Sequence, residues 1–356
     1  MKKIAFTGGG SAGHVLPNVA LIEEILSDGK EDVCYIGSSG IEKDLVSKWH
    51  IPYFEVECPK LVRGFSWENF KRNLKIPVQF FRAVKRAKQG LLTFQPDLVF
   101  SKGGYVALPV VYAAKALKIP CFIHESDLSL GLANRLSLPV CKTLFTSFPE
   151  TAKRYKKGVH SGAPIRQNIF HTSKAHARIE LSLPYHQKTL LVFGGGSGSK
   201  RINDAVRAHL KTLTKNYVVL HVCGKGNIVQ SNVENYRQFE FVADMGTMYA
   251  AADVVVARAG AGTIFELLAL QKPALFIPLE TQSRGDQVQN ANYFLQKGLC
   301  HVLSENNLSS LPKAIEETFR DEQLRTQLRL SSFTSANAPI LRAIRQTLHE
   351  KDEKNI

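Results

Sequence analysis

Four stretches place glycines where a short apolar run meets an amphipathic one: Gly8–His14 (GGGSAGH), Ser101–Tyr105 (SKGGY), Gly194–Ser199 (GGGSGS) and Arg258–Thr263 (RAGAGT). A glycine turn that leads from a strand into a helix brings backbone N–H groups and a helix N-terminus close to an anion, most often a phosphate. The spacing is a poor match to a dinucleotide fingerprint, and no acidic residue ends the second strand, Val33–Gly37, to take an adenosine ribose. No Gly-Lys-Ser/Thr follows, which excludes a Walker loop. One such loop alone reads equally well as a tight turn without a ligand; two at equivalent places in tandem halves point to a ligand. Two side chains beside the loops carry chemistry of their own. His14 has the near-neutral titration that suits proton abstraction. Glu266, expected in the first turn of the helix after the fourth loop, is placed to accept hydrogen bonds from vicinal sugar hydroxyls, or else only to complement the helix dipole.

The elements that must position these residues alternate in type. Strands are expected at Lys3–Thr7, Asp32–Gly37, Leu98–Ser101, Cys121–His124 and Thr143–Thr146. Helices are expected at Val15–Ser27, within 68–93 with a break or kink at Pro77, at Val106–Leu117 and near 129–137. The pattern restarts with strands Lys188–Phe193, Tyr217–Val222, Glu240–Val242, Asp253–Ala257 and Ala274–Pro278. Between and after these strands come helices Lys200–Thr212, Asp244–Ala251, Thr263–Ala269 and Asp286–Gln296. Strands separated by helices of 10–15 residues mean βαβ units and parallel sheets. The reading is α/β, two Rossmann-like halves joined through the polar stretch 160–187, with ligands at the carboxyl ends of the strands in a cleft between the halves. A last amphipathic helix is expected from about Pro339 to Glu350.

The 356 residues suggest two domains, and 44% apolar with 22% charged residues excludes disorder and fibrous repeats. Apolar runs such as Val106–Ala114 fall short of the roughly 18–20 residues that span a bilayer. The N-terminus reaches glycine too soon for a signal peptide, so a cytoplasmic location is expected. The six cysteines lack metal-ligand spacing and read as buried small hydrophobes. Lys plus Arg (46) exceed Asp plus Glu (31) by 15, which favours an anionic partner: nucleic acid, an acidic membrane surface or a phosphorylated substrate.

Taken in order, the motifs resemble the MurG-type glycosyltransferases of peptidoglycan synthesis. They are GGGSAGHVLPNVAL at 8–21, FSKGGYVALPVVYAAKALKIPCFIHESD at 100–127, GLANRL at 131–136, GAPIRQNI at 162–169, LLVFGGGSGSKRIN at 190–203, VVARAGAGTIFELLALQKPALFIPL at 254–279 and RGDQVQNANYF at 284–294. The resemblance covers nearly the whole chain. It implies the GT-B fold, two Rossmann-like domains facing a deep interdomain cleft. The reaction implied is inverting transfer of GlcNAc from UDP-GlcNAc to the MurNAc 4-hydroxyl of undecaprenyl-diphosphate-linked MurNAc-pentapeptide, lipid I giving lipid II. It further implies an acceptor and membrane-side domain over 1–162, a UDP-GlcNAc domain over 163–335, and a tail, 336–356, packing back on the first.

Carried over residue by residue, Ser11, Ala12 and Gly13 match a donor-contacting loop, and His14 its histidine. Asn134 lies in the matched GLANRL segment, and Arg166 matches an arginine of a GNPxR-like segment. Gly196 and Ser197 fall in the second loop. Val242 stands where an aliphatic residue packs near uracil. Ala261, Gly262, Thr263, Ile264, Phe265 and Glu266 match the ribose-diphosphate segment, with Glu266 on the ribose hydroxyls. Asp286 and Gln287 follow, the glutamine on the GlcNAc hydroxyls. There are departures: Gly196 replaces a common serine, Ala259 a frequent one, Asp127 a frequent asparagine and Asp286 a frequent glutamine. Loss of the serine hydroxyl removes a diphosphate contact unless Ser197 or Ser199 supplies it.

An inverting displacement needs a base and charge stabilisation for departing UDP. His14 is the first candidate base, with Glu125 and Asp127 as alternatives or as orienting groups. No DxD-type pair is evident, so loop N–H groups, a helix dipole starting near Thr263 and Arg166 are expected to meet the leaving-group charge, with no metal and no cofactor. Between Lys71 and Lys88 lie seven basic residues (Lys71, Arg72, Lys75, Arg82, Lys85, Arg86, Lys88) and no acidic one, interleaved with Leu74, Ile76, Val78, Phe80, Phe81 and Val84. They read either as a core helix with a solvated basic face or as a dock on the anionic cytoplasmic leaflet, peripheral to the membrane. Three rivals remain. A nucleic-acid binder rests on charge alone, without a zinc module, RNP motif or helix-turn-helix. A nucleotide-sugar epimerase would need no lipid acceptor. A glycolipid synthase would use diacylglycerol.

Overall fold

The computed structural model describes residues 1–59, 66–184, 186–281 and 285–353, with the side chains of residues 70, 72 and 351–353 left aside. Arg284, and the side chain of Arg72 in the basic stretch, therefore lie outside the described residues. The chain divides into two compact units: unit 1 is Met1–Arg166 with Ser335–Ile356, and unit 2 is Gln167–Thr334.

Unit 1 holds a seven-stranded, all-parallel sheet of β1 (Lys2–Thr7), β2 (Glu31–Gly37), β3 (Tyr53–Glu55), β4 (Leu98–Ser101), β5 (Cys121–Glu125), β6 (Thr143–Thr146) and β7 (Gly158–His160). Its order is β3-β2-β1-β4-β5-β6-β7, which reverses direction at β1/β4. Alternation along β1 sends Ile4 and Phe6 to one core and Ala5 to the other. The first core takes apolar residues of helices Ala12–Asp28 and Asn337–Glu353, the second those of Ile76–Phe94 and Ala107–Ala116. Helices on both faces force nearly continuous apolar strands, and β4 is buried at all four positions. The last helix is tied down by Asn337, whose Oδ1 accepts from Ile165 N (3.1 Å) and whose Nδ2 donates to Ile165 O (2.9 Å).

Unit 2 repeats the plan with six parallel strands: β8 (Lys188–Phe193), β9 (Tyr217–Val222), β10 (Tyr236–Phe239), β11 (Val254–Ala257), β12 (Ala274–Phe276) and β13 (His301–Val302), ordered β10-β9-β8-β11-β12-β13. Its core joins β8, β9 and β11 to helices Lys200–Ala208 and Leu311–Arg320.

Several expectations shift. The strand expected at Glu240–Val242 lies at Tyr236–Phe239, where Tyr236 pairs with Val219; Phe241 is 70% exposed and follows the strand. The stretch 160–187 is more than a linker, for it contains the 3-10 turn Gln167–Phe170 and helix Lys174–Glu180. The helix expected at 68–93 is two, Trp67–Leu74 and Ile76–Phe94, with Pro77 in the first turn of the second, where its missing N–H costs nothing. All six cysteines are free, and five are buried.

Candidate active site

In unit 1 the carboxyl ends of β1, β4 and β5 bring three sequence segments together. Helix Ala12–Asp28 opens directly after the first glycine loop, with Ser11 at its N-cap position. The Ser11 hydroxyl lies 2.9 Å from His14 Nδ1. Gly104 packs against this corner: a Cβ there would fall 2.3 Å from Gly9 O and 3.2 Å from His14 Nδ1. The first and third glycine signals are thus parts of one site.

The first loop is also filled from within the chain, which the sequence reading missed. Glu42, completely buried, accepts Gly10 N (3.2 Å) and Ser38 N (3.0 Å) and also takes the Ser38 hydroxyl. Tyr35 donates its hydroxyl to Gly8 O at 2.8 Å. An N–H that the glycine pattern reserves for a phosphate is therefore met by a carboxylate of the protein. What faces outward is the helix start: Ser11 and Gly13 are exposed, and Ala12 and His14 are half-buried.

Glu125, 6% exposed, organises the loop after β5. Its Oε1 accepts Asp127 N (3.1 Å), and its Oε2 accepts Gly131 N (2.9 Å) and Asn134 Nδ2 (3.0 Å). Three acceptor positions of this carboxylate are committed to its own loop, whereas Asp127 is half-buried beside it. Asn134 Nδ2 also donates to His124 O (3.0 Å), so Asn134 holds the Glu125 loop to the strand end. Lys102, 2% exposed, is a second group the sequence reading passed over; burial lowers the proton affinity of its ammonium against the pull of Glu125 and Asp127. Arg166 is the last residue of unit 1, and its charge, after that of Lys48, acts on Glu23 to oppose the upward shift that burial imposes on that carboxyl.

In unit 2, Gly195, Gly196 and Ser197 are exposed between β8 and helix Lys200–Ala208. Ser199 is the N-cap of that helix, and its hydroxyl also accepts Arg258 Nη2 at 2.8 Å. It is thus occupied structurally, and of the two serines Ser197 is the one exposed. Arg258, at the end of β11, donates further to Ile277 O (3.1 Å) and pairs with Glu305, whose side chain is fully buried and also bound by Arg201 (3.1 Å). This ion pair, unforeseen from the sequence, fastens the second glycine loop to the neighbouring strand ends; breaking a buried pair from one side is strongly destabilising.

Helix Ala261–Ala269 starts two residues earlier than expected, with Gly260 at its cap position. Glu266 consequently lies in the second turn and no acidic residue lies in the first, so dipole complementation, which fades beyond one turn, does not explain it. Ala261, Ile264 and Phe265 face the core, Thr263 is half-buried and Gly262 exposed. Glu266 Oε2 accepts the Tyr249 hydroxyl at 3.0 Å. Asp286 and Gln287 open helix Asp286–Gln296, and Gln287 Oε1 accepts Leu279 N at 2.9 Å, which leaves its amide nitrogen as the donor group. Val242 is half-buried in the loop between β10 and helix Met245–Ala251. Among the described residues no group of three or more His, Cys, Asp or Glu is placed to hold a metal ion.

Comparison with known proteins matches each half of the chain to a family domain. Residues 4–146 match the glycosyltransferase family 28 N-terminal domain and residues 189–339 the glycosyltransferase family 28 C-terminal domain. A relative from Clostridium perfringens (strain SM101 / Type A), named UDP-N-acetylglucosamine--N-acetylmuramyl-(pentapeptide) pyrophosphoryl-undecaprenol N-acetylglucosamine transferase, is 43% identical over 98% of this chain and 99% of its own length. One of the same name from Shouchella clausii is 43% identical over 97% of this chain and 99% of its own. The crystal structure of Acinetobacter baumannii MurG superposes with a TM-score of 0.75 at 22% identity, covering 97% of this chain and all of that one; at that identity it speaks for the shared GT-B fold.

Proposed function

The chain belongs to glycosyltransferase family 28, and on that premise we propose that it moves GlcNAc from UDP-GlcNAc to the MurNAc 4-hydroxyl of lipid I, giving lipid II for peptidoglycan synthesis and hence for cell shape and division. It is a UDP-GlcNAc-dependent hexosyltransferase that inverts the anomeric centre. Within the molecule, the observation that supports this most is Glu266: a carboxylate in the second turn of a helix opening on exposed glycine backbone, suited to a ribose diol with a diphosphate at the helix start.

Unit 2 takes the donor. Glu266 holds the ribose hydroxyls, Val242 packs near the uracil, and the Gln287 amide and Asp286 meet the sugar. The first-turn N–H groups of Ala261–Thr263 and the exposed backbone at Gly196 and Ser197 face the diphosphate. Unit 1 takes the acceptor. With Nδ1 held by Ser11, His14 removes the acceptor proton through Nε2 while O4 attacks C1 from the face opposite UDP. The C1–O bond to the β-phosphate breaks and UDP leaves with the electron pair. Glu125 is committed to its loop, so Asp127 is the stronger alternative base. Asn134 and Ser11 to Gly13 contact substrate, the Ser11–Gly13 loop being the donor-contacting one that the resemblance implies.

Purified protein with radiolabelled UDP-GlcNAc should form product only when a lipid I analogue is added. Turnover of the donor to an epimer without acceptor would favour the epimerase reading, and transfer to diacylglycerol the glycolipid synthase. Glu266→Ala should raise the donor KM roughly ten- to a hundredfold, the range for hydrogen bonds to a charged group; an unchanged KM in the folded variant rejects its ribose role.

Association with the anionic cytoplasmic leaflet, peripheral and without a spanning segment, belongs to the same proposal. Among the described residues no helix is long and apolar enough to cross a membrane. Helix Ile76–Phe94 buries Ala83, Ala87, Gly90 and Leu91, and leaves Val78 (57%) and Phe81 (71%) exposed beside exposed Arg82 and Lys85. An apolar residue in that position is unfavourable in water and favourable at a lipid interface, where each neighbouring cation adds about 1 kcal/mol. Charge reversal of Arg82, Lys85 and Arg86 to Glu should abolish binding to anionic vesicles and spare activity on a soluble short-chain acceptor. Persistent binding with the same salt dependence would move the docking surface elsewhere. Nucleic acid is not expected as a partner.

A further inference from the structure

The reaction scheme leaves the Tyr249 phenol without a part. This side chain stands on helix Met245–Ala251, is 2% exposed, and packs its ring on Phe193, the last residue of β8 (centroids 6.0 Å apart). Its hydroxyl reaches across to helix Ala261–Ala269 and donates to Glu266 Oε2 at 3.0 Å. Phe193 runs straight into the second glycine loop, so one aromatic ring joins the strand end beneath that loop to the carboxylate on the neighbouring helix.

The chemistry of this contact is specific. A glutamate side chain left to itself samples many rotamers, and freezing them when a ligand arrives weakens binding. A buried phenol fixed by its own packing removes that disorder beforehand. The phenol adds no charge of its own to the carboxylate. Each carboxylate oxygen has two lone-pair sites, so accepting the phenol does not in itself bar Oε2 from a sugar hydroxyl. The carboxylate plane is thereby fixed for a pair of adjacent hydroxyls.

We propose that Tyr249 is a positioning residue for donor recognition: it pre-orients Glu266 toward both hydroxyls of a ribose and makes unit 2 selective for ribonucleoside over 2′-deoxyribonucleoside diphosphates. The proposal rests on Glu266 being the ribose acceptor. A site built to hydrogen-bond a hydroxyl rejects the analogue that lacks it, because the carboxylate then stays desolvated and unmatched.

The test uses the full chain with UDP-GlcNAc, a soluble acceptor, and UDP or 2′-deoxy-UDP as competing inhibitors. Wild type should prefer UDP by roughly tenfold or more. Tyr249→Phe keeps the ring on Phe193 and removes only the hydroxyl. It should raise the donor KM roughly five- to tenfold with kcat within about twofold, and shrink the UDP/2′-deoxy-UDP ratio by a similar factor. A thermal midpoint taken alongside confirms that the variant is folded. Glu266→Ala should erase the ratio, and adding Tyr249→Phe to it should change nothing more. If Glu266→Ala erases the ratio while Tyr249→Phe preserves it, Tyr249 only fills space and the inference is overturned. If Glu266→Ala itself preserves the ratio, the ribose role of Glu266 falls first, and the inference with it.

Discussion

A Cβ added to Gly8, Gly9 or Gly10 would come within 2.5 Å of His14 O, Glu42 Oε1 or Tyr105 Cε1, whereas one added to Gly195 or Gly196 meets no atom within 4 Å. Both loops spell Gly-Gly-Gly-Ser, at 8–11 and at 194–197. In unit 1 the glycines are there because the protein packs on them: Glu42 and Tyr105 occupy the space that side chains would need. In unit 2 the middle of the loop packs on nothing, which suits a backbone that a phosphate approaches. The same four letters thus are packed on once and left open once. The difference is set by a glutamate 32 residues away.

The proposed function puts chemistry at the helix start of the first loop and donor binding in the second unit, and the largest expected effect follows from that. His14→Ala should lower kcat by roughly 10²–10⁴ with the donor KM little changed, the range for loss of a general base. Steady-state kinetics at saturating donor reads it; a loss under tenfold would transfer the base role to Asp127 or Glu125.

A second effect lies beneath the open loop. His221 on β9 is buried between Asn203 Oδ1 (3.0 Å) and the Tyr236 hydroxyl (2.8 Å), and burial, aided by Arg207, lowers its pKa from 6.5 to about 4. The folded state therefore binds this proton less readily than the unfolded state. Stability is full above the unfolded value and is lost as pH falls from about 6.5 toward 4, by ~3 kcal/mol at most. Urea unfolding of wild type and His221→Gln across that window should show a shallower acid loss in the variant; parallel curves would mean His221 does not contribute.

The smallest effect tests the comparison most directly. Gly9→Ala drives a methyl into the Glu42 carboxylate and should cost ~1–3 kcal/mol of stability. Gly196→Ala should stay within about 0.5 kcal/mol and instead raise the donor KM. Equal thermal shifts for the two would erase the distinction between the loops.

How much of this was legible follows a physical line. The central strands β1, β4, β8 and β11, covered on both faces by helices, were placed to within a residue. Those missed or misplaced, β3, β7, β10 and β13, are the four sheet edges, and none of their residues is buried. An edge strand needs no apolar run, so periodicity has nothing to register. The glycine loops, His14 and Glu266 stood out because their residue types are unusual beside a strand end. Glu42, the Arg258–Glu305 pair and Tyr249 did not, because each acts across 32, 47 and 17 residues of sequence and reads locally as an ordinary surface or core residue.

The closing helix of unit 1 has a consequence for the order in which the protein can be made. Ala336, Ile340, Leu341, Ile344 and Leu348 belong to the same buried cluster as Ile4 and Phe6 of β1. Synthesis from the N-terminus delivers every residue of unit 2, 167–334, before any of these five. During translation the first strand must wait with one side of its core uncovered while the later unit, complete in its own sequence, is free to fold. The half of the molecule begun first is the half finished last, and its exposed apolar face in the interval is where a holding chaperone would bind.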